Sequence, residues 1–201
     1  KLVGINQHIG SLFMDGKPYV EGVKAILNIA KQFDDLEFVD LGGGFGIPYE
    51  KLNDQPRLDM VELGKQLDEV FEQFVKDYGK EITFKIEPGR YVSAECGVLL
   101  GTVTAVKHNG EDKYIGTDIG FNVLQRPVMY DSHHDIEVYN DSDNTEDVTV
   151  VGNICESGDI LAKHRICPEM HVGDTMAMLD AGAYGYCMAS NYNNRLRPAE
   201  V

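Results

Sequence analysis

Glu87, Gly89 and Arg90 stand within the pentapeptide EPGRY, at the end of an apolar run that contains Ile82, Phe84 and Ile86. A carboxylate, a glycine whose N–H no side chain covers and a guanidinium, gathered at one strand end, suit a phosphorylated cofactor. By itself the pentapeptide reads equally as an ordinary Pro-Gly turn with a solvated Glu-Arg pair. Two further stretches repeat the arrangement. Residues 38–49, FVDLGGGFGIPY, are a short apolar strand running into Gly42, Gly43 and Gly44, where missing side chains let backbone N–H groups approach a phosphate. Residues 2–11, LVGINQHIGS, end in the His8 imidazole and the Ser11 hydroxyl. Three strands that each end in polar or glycine-rich chemistry match parallel strands whose C-terminal ends point at one site.

The elements between these strands read as helices. Pro18 is placed to open one, and Val23, Ile26, Leu27 and Ala30 recur at helical spacing up to Phe33. A longer amphipathic stretch puts Met60, Leu63, Leu67, Val70, Phe71, Phe74 and Tyr78 on one face and ends at Gly79, which suits a C-cap. The order β-α-β-α-β predicts parallel strands joined by right-handed crossovers. Beyond about residue 94 the pattern changes. VLLGTVTAVKH, KYIGTDIG, DIEVYN, VTVVGNI and DTMAMLDAG are β-branched and apolar, separated by Gly, Asn, Asp or Pro. The expectation is α/β architecture over residues 1–93 and a mostly antiparallel β domain over 94–201, with the acidic stretch NDSDNTED (140–147) as a solvated turn. A parallel sheet needs both faces covered, and a (β/α)8 barrel needs all its strands to close. The α/β half is therefore expected to be the last part of a larger barrel, and the chain a fragment.

The net charge of −15 over 201 residues argues against nucleic acid and anionic membrane as partners. No apolar run reaches bilayer length and nothing at the start resembles a signal peptide. Cys96, Cys155, Cys167 and Cys187 are widely spaced, with no CxxC pair to suggest zinc or a redox dithiol. Reduced thiols in a cytoplasmic protein are the simplest account. Adjacent His133 and His134 raise the question of a metal, but neighbours on a strand point to opposite faces, so no metal ligand is expected there.

HIGS at 8–11, DLGGGFG at 40–46, EPGR at 87–90, RPVMY at 126–130, CESGD at 155–159, and DAGAYG followed by SNYNNRLRPAEV at the end form an ordered set. Together they resemble the pyridoxal-phosphate-dependent decarboxylases of the alanine-racemase-like fold, the ornithine and diaminopimelate decarboxylase family. The resemblance spans essentially the whole chain, and the CES triplet and the closing SNYN…RPAEV are most similar to the branch acting on meso-diaminopimelate. It implies a (β/α)8 barrel with the cofactor at its C-terminal mouth, a following β domain, and a head-to-tail homodimer with active sites shared across the interface. This chain would cover the last three barrel strands and most of the β domain. The implied reaction is decarboxylation of meso-diaminopimelate to L-lysine and carbon dioxide, in lysine biosynthesis. Neighbouring decarboxylases of ornithine, lysine, arginine or carboxynorspermidine, and a non-catalytic relative, are the alternatives. The lysine that carries the cofactor in that family lies in a motif like AxKAN near the start of the barrel. No such motif occurs here, so the chain alone is not expected to complete the chemistry.

The same resemblance implies roles for single residues. Glu87 pairs with the pyridine nitrogen, His8 stacks on the ring, and Ser11, Gly43, Gly44 and Gly89 form the phosphate cradle, with Arg90 beside it and Tyr184 touching the phosphate. Arg90, Arg126 and Tyr130 hold the distal carboxylate of the substrate, because a guanidinium grips a carboxylate with two parallel N–H bonds. Glu156 takes the distal ammonium, with Tyr184 also at the substrate. Cys155 protonates the α-carbon after decarboxylation, reaching in from the partner subunit. Cys96, Cys167 and Cys187 are expected to be buried and structural.

Overall fold

A computed structural model describes residues 1–201. Its chain divides into two compact units, one of residues 1–48 and 56–92, the other of residues 49–55 and 93–201.

In the first unit β1 (Gly4–Asn6), β2 (Phe38–Asp40) and β3 (Thr83–Lys85) form a parallel sheet in that order, with Ile5, Val39 and Phe84 in register. The crossovers are α1 (Lys17–Ala30) and α2 (Met60–Tyr78). Pro18 sits in the first turn of α1, where its missing N–H has no helical partner to lose, and Tyr19, Val23, Ile26, Leu27 and Ala30 are buried along one side. Asp59 caps α2 by accepting from the Val61 and Glu62 N–H groups, and Gly79 ends it in the left-handed conformation at φ 72°. Leu63 and Phe74 are buried in a core with Val39 and Leu41, and Met60, Leu67, Val70, Phe71 and Tyr78 pack against it. The face read from the sequence is the face that packs.

The second unit is a six-stranded sheet in the order β6-β9-β4-β5-β7-β8. Its strands are β4 (Leu99–Asn109), β5 (Asp112–Thr117), β6 (Ile136–Tyr139), β7 (Thr145–Val151), β8 (Ile160–Pro168) and β9 (Thr175–Met178). All neighbours are antiparallel except β5 and β7, which are parallel. Val103, Ile115, Leu124, Val148, Val150, Leu161, Met176 and Met178 form its core. β8 gave no strand signal in the sequence for a physical reason. His164 takes a positive φ of 45° and the β7 pairing shifts register between Val148 and Val150, so the alternation breaks mid-strand.

RPVMY, for which the sequence reading gave no conformation, is a short helix, α4 (Arg126–Tyr130). Other expectations need correction. The acidic stretch is only partly a turn, because residues 145–147 open β7 and Glu146 pairs with Lys113 at 2.5 Å. Its loop is held too, since the Asn140 amide donates to the Glu169 carbonyl and to Asp174. Cys167 is buried as expected, and that burial raises its thiol pKa to about 11. Cys96 and Cys187, expected to be buried, are exposed, because each lies in a surface 3-10 turn.

Residues 49–55 come from between β2 and α2 in the sequence and pack within the sheet unit. Lys51 Nζ lies 2.6 Å from Asp180 and 2.8 Å from Glu95, and the Leu52 N–H donates to Asp135 at 3.0 Å. No helix is long and apolar enough to cross a membrane.

Candidate active site

Parallel pairing in the first unit carries on past the strand ends. The Gln7 N–H donates to the Asp40 carbonyl, Leu41 to Lys85 and Glu87 to Gly42, at 2.9 to 3.1 Å. This brings HIGS, LGGG and EPGR side by side. The glycines permit it in a way that the sequence did not suggest. A Cβ at Gly43 would overlap the Glu87 carbonyl oxygen, and one at Gly44, whose φ is 103°, would overlap the Gly10 carbonyl oxygen. Their missing side chains are filled by neighbouring backbone. Gly10 and Gly89, by contrast, face open space.

α3 (Gly89–Ser93) starts inside EPGR and turns Arg90 toward the first loop, where its Nη2 donates to Ser11 Oγ at 3.0 Å. His8, Ser11 and Glu87 are exposed. Beneath them lies a residue that the sequence reading missed. Tyr19 is fully buried, its hydroxyl donates to the Gly42 carbonyl, and burial together with the charges of Asp40 and Glu87 raises its phenol far above the ordinary range. Its only sequence signal was membership of the apolar face of α1.

In the second unit Arg126 is enclosed, with 3% of its surface exposed. Its guanidinium lies over the Tyr49 ring, 4.4 Å from the centroid, and its Nη1 donates to His134 Nε2 at 2.7 Å. The His134 Nδ1 faces the Leu179 carbonyl at 2.7 Å. A carbonyl only accepts, so Nδ1 carries the hydrogen and Nε2 is left as the acceptor for Arg126. Burial first, then the charges of Arg126, His133 and Arg165, bring the His134 pKa down to about 4, against the opposing bond to Leu179. His133 and His134 precede β6 instead of lying on a strand, so the opposite-faces argument for them fails. Their rings nonetheless meet different partners, His133 Nε2 lying 2.8 Å from Asp135 and 2.7 Å from Arg165 Nη1.

A pH dependence follows from His134. Its pKa falls from 6.5 to about 4 on folding, so the unfolded chain binds more protons between those values. The stabilising contribution is complete above the unfolded value and is lost as pH falls through about 4. We expect the thermal midpoint of the chain to drop between pH 7 and pH 4, and the His134→Gln variant to lose up to about 3 kcal/mol of that drop. Identical pH profiles for the two proteins would show that His134 is not the group responsible.

Cys155 and Glu156 lie on the β7–β8 loop, both exposed, the cysteine as a free thiol. The Tyr192 hydroxyl reaches Glu156 at 3.4 Å, and the Tyr192 ring packs on Phe121 with centroids 5.3 Å apart. Tyr130, at the end of α4, and Tyr184, at a positive φ of 59°, are also exposed. Of the candidates in this unit, Arg126 alone is enclosed. Tyr49, which follows Pro48, was not singled out in the sequence, and His134 was considered only as a metal ligand.

The exposed Glu87 carboxylate, His8 imidazole and Ser11 hydroxyl and the half-buried Arg90 guanidinium thus stand beside glycine-rich strand ends, with a sheet domain after them in the chain. The family described as "Pyridoxal-dependent decarboxylase, C-terminal sheet domain" matches residues 20–182, and the chain belongs to it. It is 40% identical over 207 residues to the diaminopimelate decarboxylase of Methanothermobacter thermautotrophicus, covering 99% of this chain and 48% of that protein. It is 43% identical over 206 residues to the diaminopimelate decarboxylase of Archaeoglobus fulgidus, again covering 99% and 48%. Among solved structures, the diaminopimelate decarboxylase from M. jannaschii in co-complex with L-lysine superposes with a TM-score of 0.89 at 35% identity, covering 98% of this chain and 45% of that one. The chain thus spans about half the length of the curated relatives it matches.

The residues present fit the cofactor of the family. The Ser11 hydroxyl and Arg90 guanidinium lie together next to Gly10 and Gly89, which face open space, and this donor set suits a phosphate. The exposed carboxylate of Glu87 suits a protonated ring nitrogen.

Proposed function

We propose that the full-length protein is a cytoplasmic pyridoxal-phosphate-dependent carboxy-lyase that converts meso-diaminopimelate to L-lysine and carbon dioxide. Likeness over 99% of this chain to relatives named diaminopimelate decarboxylase, at 40% and 43% identity, carries this reading. The L-lysine held by the M. jannaschii structure has the chemistry of the proposed product.

When bound, pyridoxal phosphate supplies the electron sink that carbon–carbon cleavage requires. Ser11, Arg90, Gly43, Gly44 and Gly89 would hold its phosphate together with Tyr184, His8 would lie against the ring, and Glu87 would keep the ring nitrogen protonated. Arg90, Arg126 and Tyr130 define the place of the distal carboxylate, and Tyr49 and His134 fix the plane of the Arg126 guanidinium. Glu156 accepts from the distal ammonium, with Tyr184 at the substrate, and Cys155 gives a proton to the α-carbon. In the reading we favour, a homodimer brings Cys155 and Glu156 of one subunit to the Glu87 site of its partner. A simple diamino acid such as ornithine has no distal carboxylate for Arg90, Arg126 and Tyr130 to hold. The full-length protein is therefore expected to release L-lysine from meso-diaminopimelate with a kcat/KM at least about 100-fold above that for ornithine, a difference of about 3 kcal/mol from the lost charge-assisted bonds to that carboxylate. Equal or better turnover of ornithine would overturn the assignment.

A further inference from the structure

We infer that Asp159 is a positioning residue for Cys155 and Glu156, its buried carboxylate setting the shape of the loop that presents them. The inference rests on the reading of those two residues given above. Asp159 is 5% exposed, and each of its oxygens accepts one backbone N–H: Oδ1 from Phe121 at 2.6 Å and Oδ2 from Ile154 at 2.7 Å. Ile154 immediately precedes Cys155, so the second bond fixes the Asn153–Ile154 peptide, one residue before the thiol. The backbone of Asp159 closes the same loop. Gly152 N–H donates to the Asp159 carbonyl at 3.0 Å, Asp159 N–H to the Glu156 carbonyl at 3.1 Å, and Glu156 N–H to the Ile154 carbonyl at 2.8 Å. Residues 152–159 are a ring of backbone bonds with one carboxylate at its centre.

Two glycines make room for that carboxylate. A Cβ at Gly120 would lie 2.9 Å from Asp159 Oδ2, and a Cβ at Gly152 would overlap it. Its contacts are backbone N–H groups, not a cation, and burial raises its pKa against the pull of the Ile154 and Phe121 bonds. A buried carboxylate without a counter-charge costs stability that an apolar residue of the same size would not. What the carboxylate supplies is geometry: two acceptors on one rigid plane, joining the loop after β5 to the loop after β7.

Asp159→Asn keeps the volume but turns one acceptor into an NH2 that meets an N–H donor. In the full-length protein it is expected to lower kcat about tenfold or more, with cofactor absorbance unchanged, because small misplacements of a reacting group cost rate steeply. Val148→Ala, a cavity in the core of the same sheet, serves as the control for stability alone and is expected to leave kcat within about twofold at temperatures where both variants are folded. Hydrogen exchange on the chain itself should show the Phe121 and Ile154 amides exchanging about tenfold faster in Asp159→Asn and not in Val148→Ala. Equal kcat and equal exchange in the two variants would overturn the inference. The exchange result needs no catalysis, so an active Cys155→Ala enzyme would sink the reading of Cys155 while leaving the loop-setting role measurable. Should Asp159→Asn fail to fold, the unmodified chain still decides, since Phe121 and Ile154 amides that exchange as fast as exposed loop amides would rule the role out.

Discussion

Alanine in place of Gly43 is expected to destabilise the chain by about 3 kcal/mol or more, whereas alanine in place of Gly64 is expected to stabilise it by about 0.5–1 kcal/mol. The same added methyl meets opposite surroundings. At Gly43 it would overlap the Glu87 carbonyl oxygen, which accepts the Gly89 N–H at 3.0 Å, while the Glu87 N–H donates to Gly42 at 3.0 Å. No flexible side-chain tip is involved, so backbone must move, and with it the segment that carries the Glu87 carboxylate. At Gly64, on the exposed side of α2, a Cβ has nothing within 4 Å and the helix gains from the reduced freedom of the unfolded chain. Urea midpoints at constant m-value read both effects. A Gly43→Ala chain as stable as the parent would show that the strand-end loops yield cheaply and that their close packing does not set the place of Glu87.

Removing the Cys155 thiol from the full-length protein is expected to lower turnover about 100-fold or more, with cofactor absorbance intact, the loss typical of a positioned general acid. The residue lies on an exposed loop as a free thiol, so alanine should leave the fold undisturbed. The shared-site reading gives the variant a second use. Mixed with a variant lacking the cofactor-carrying lysine, it forms hybrid dimers in which one of two sites keeps both groups, and random exchange should restore about a quarter of parental activity. Near-parental turnover of Cys155→Ala would remove the thiol from the mechanism. Demonstrated subunit exchange without any recovery would instead refute sharing.

The parts of this molecule that the sequence announced are those in which one local rule acts alone. Helical spacing in α2 ran from Met60 to Tyr78, and Gly79 marked its end, because an amphipathic face and a left-handed cap are both short-range demands. The strand-end chemistry of Ser11 and Arg90 was also visible, and their 3.0 Å contact spans 79 residues. What stayed hidden depends on partners distant in sequence. β8 lost its alternation to the irregularity at His164, the side chain of His134 is explained only by Arg126 and Leu179, and Tyr19 reads as one more core aromatic until the Gly42 carbonyl is placed above it. Asp159 closed a motif already marked for Cys155 and Glu156, yet the pattern of letters said nothing about its carboxylate facing inward.

The seven residues from Tyr49 to Gln55 give the sheet unit a discontinuous coding sequence. A chimaera spliced near residue 93 would inherit Tyr49 and Lys51 from one parent and Arg126, His134, Glu95 and Asp180 from the other, although Tyr49 stacks with Arg126 and His134, and Lys51 pairs with Glu95 and Asp180. The Asp180 side chain is 2% exposed, so a parent supplying no cation at position 51 would strand a carboxylate in the interior, a defect of about 3–5 kcal/mol. These positions must therefore be exchanged as a linked set, so recombination between relatives of this chain has to move the small segment together with the sheet it completes.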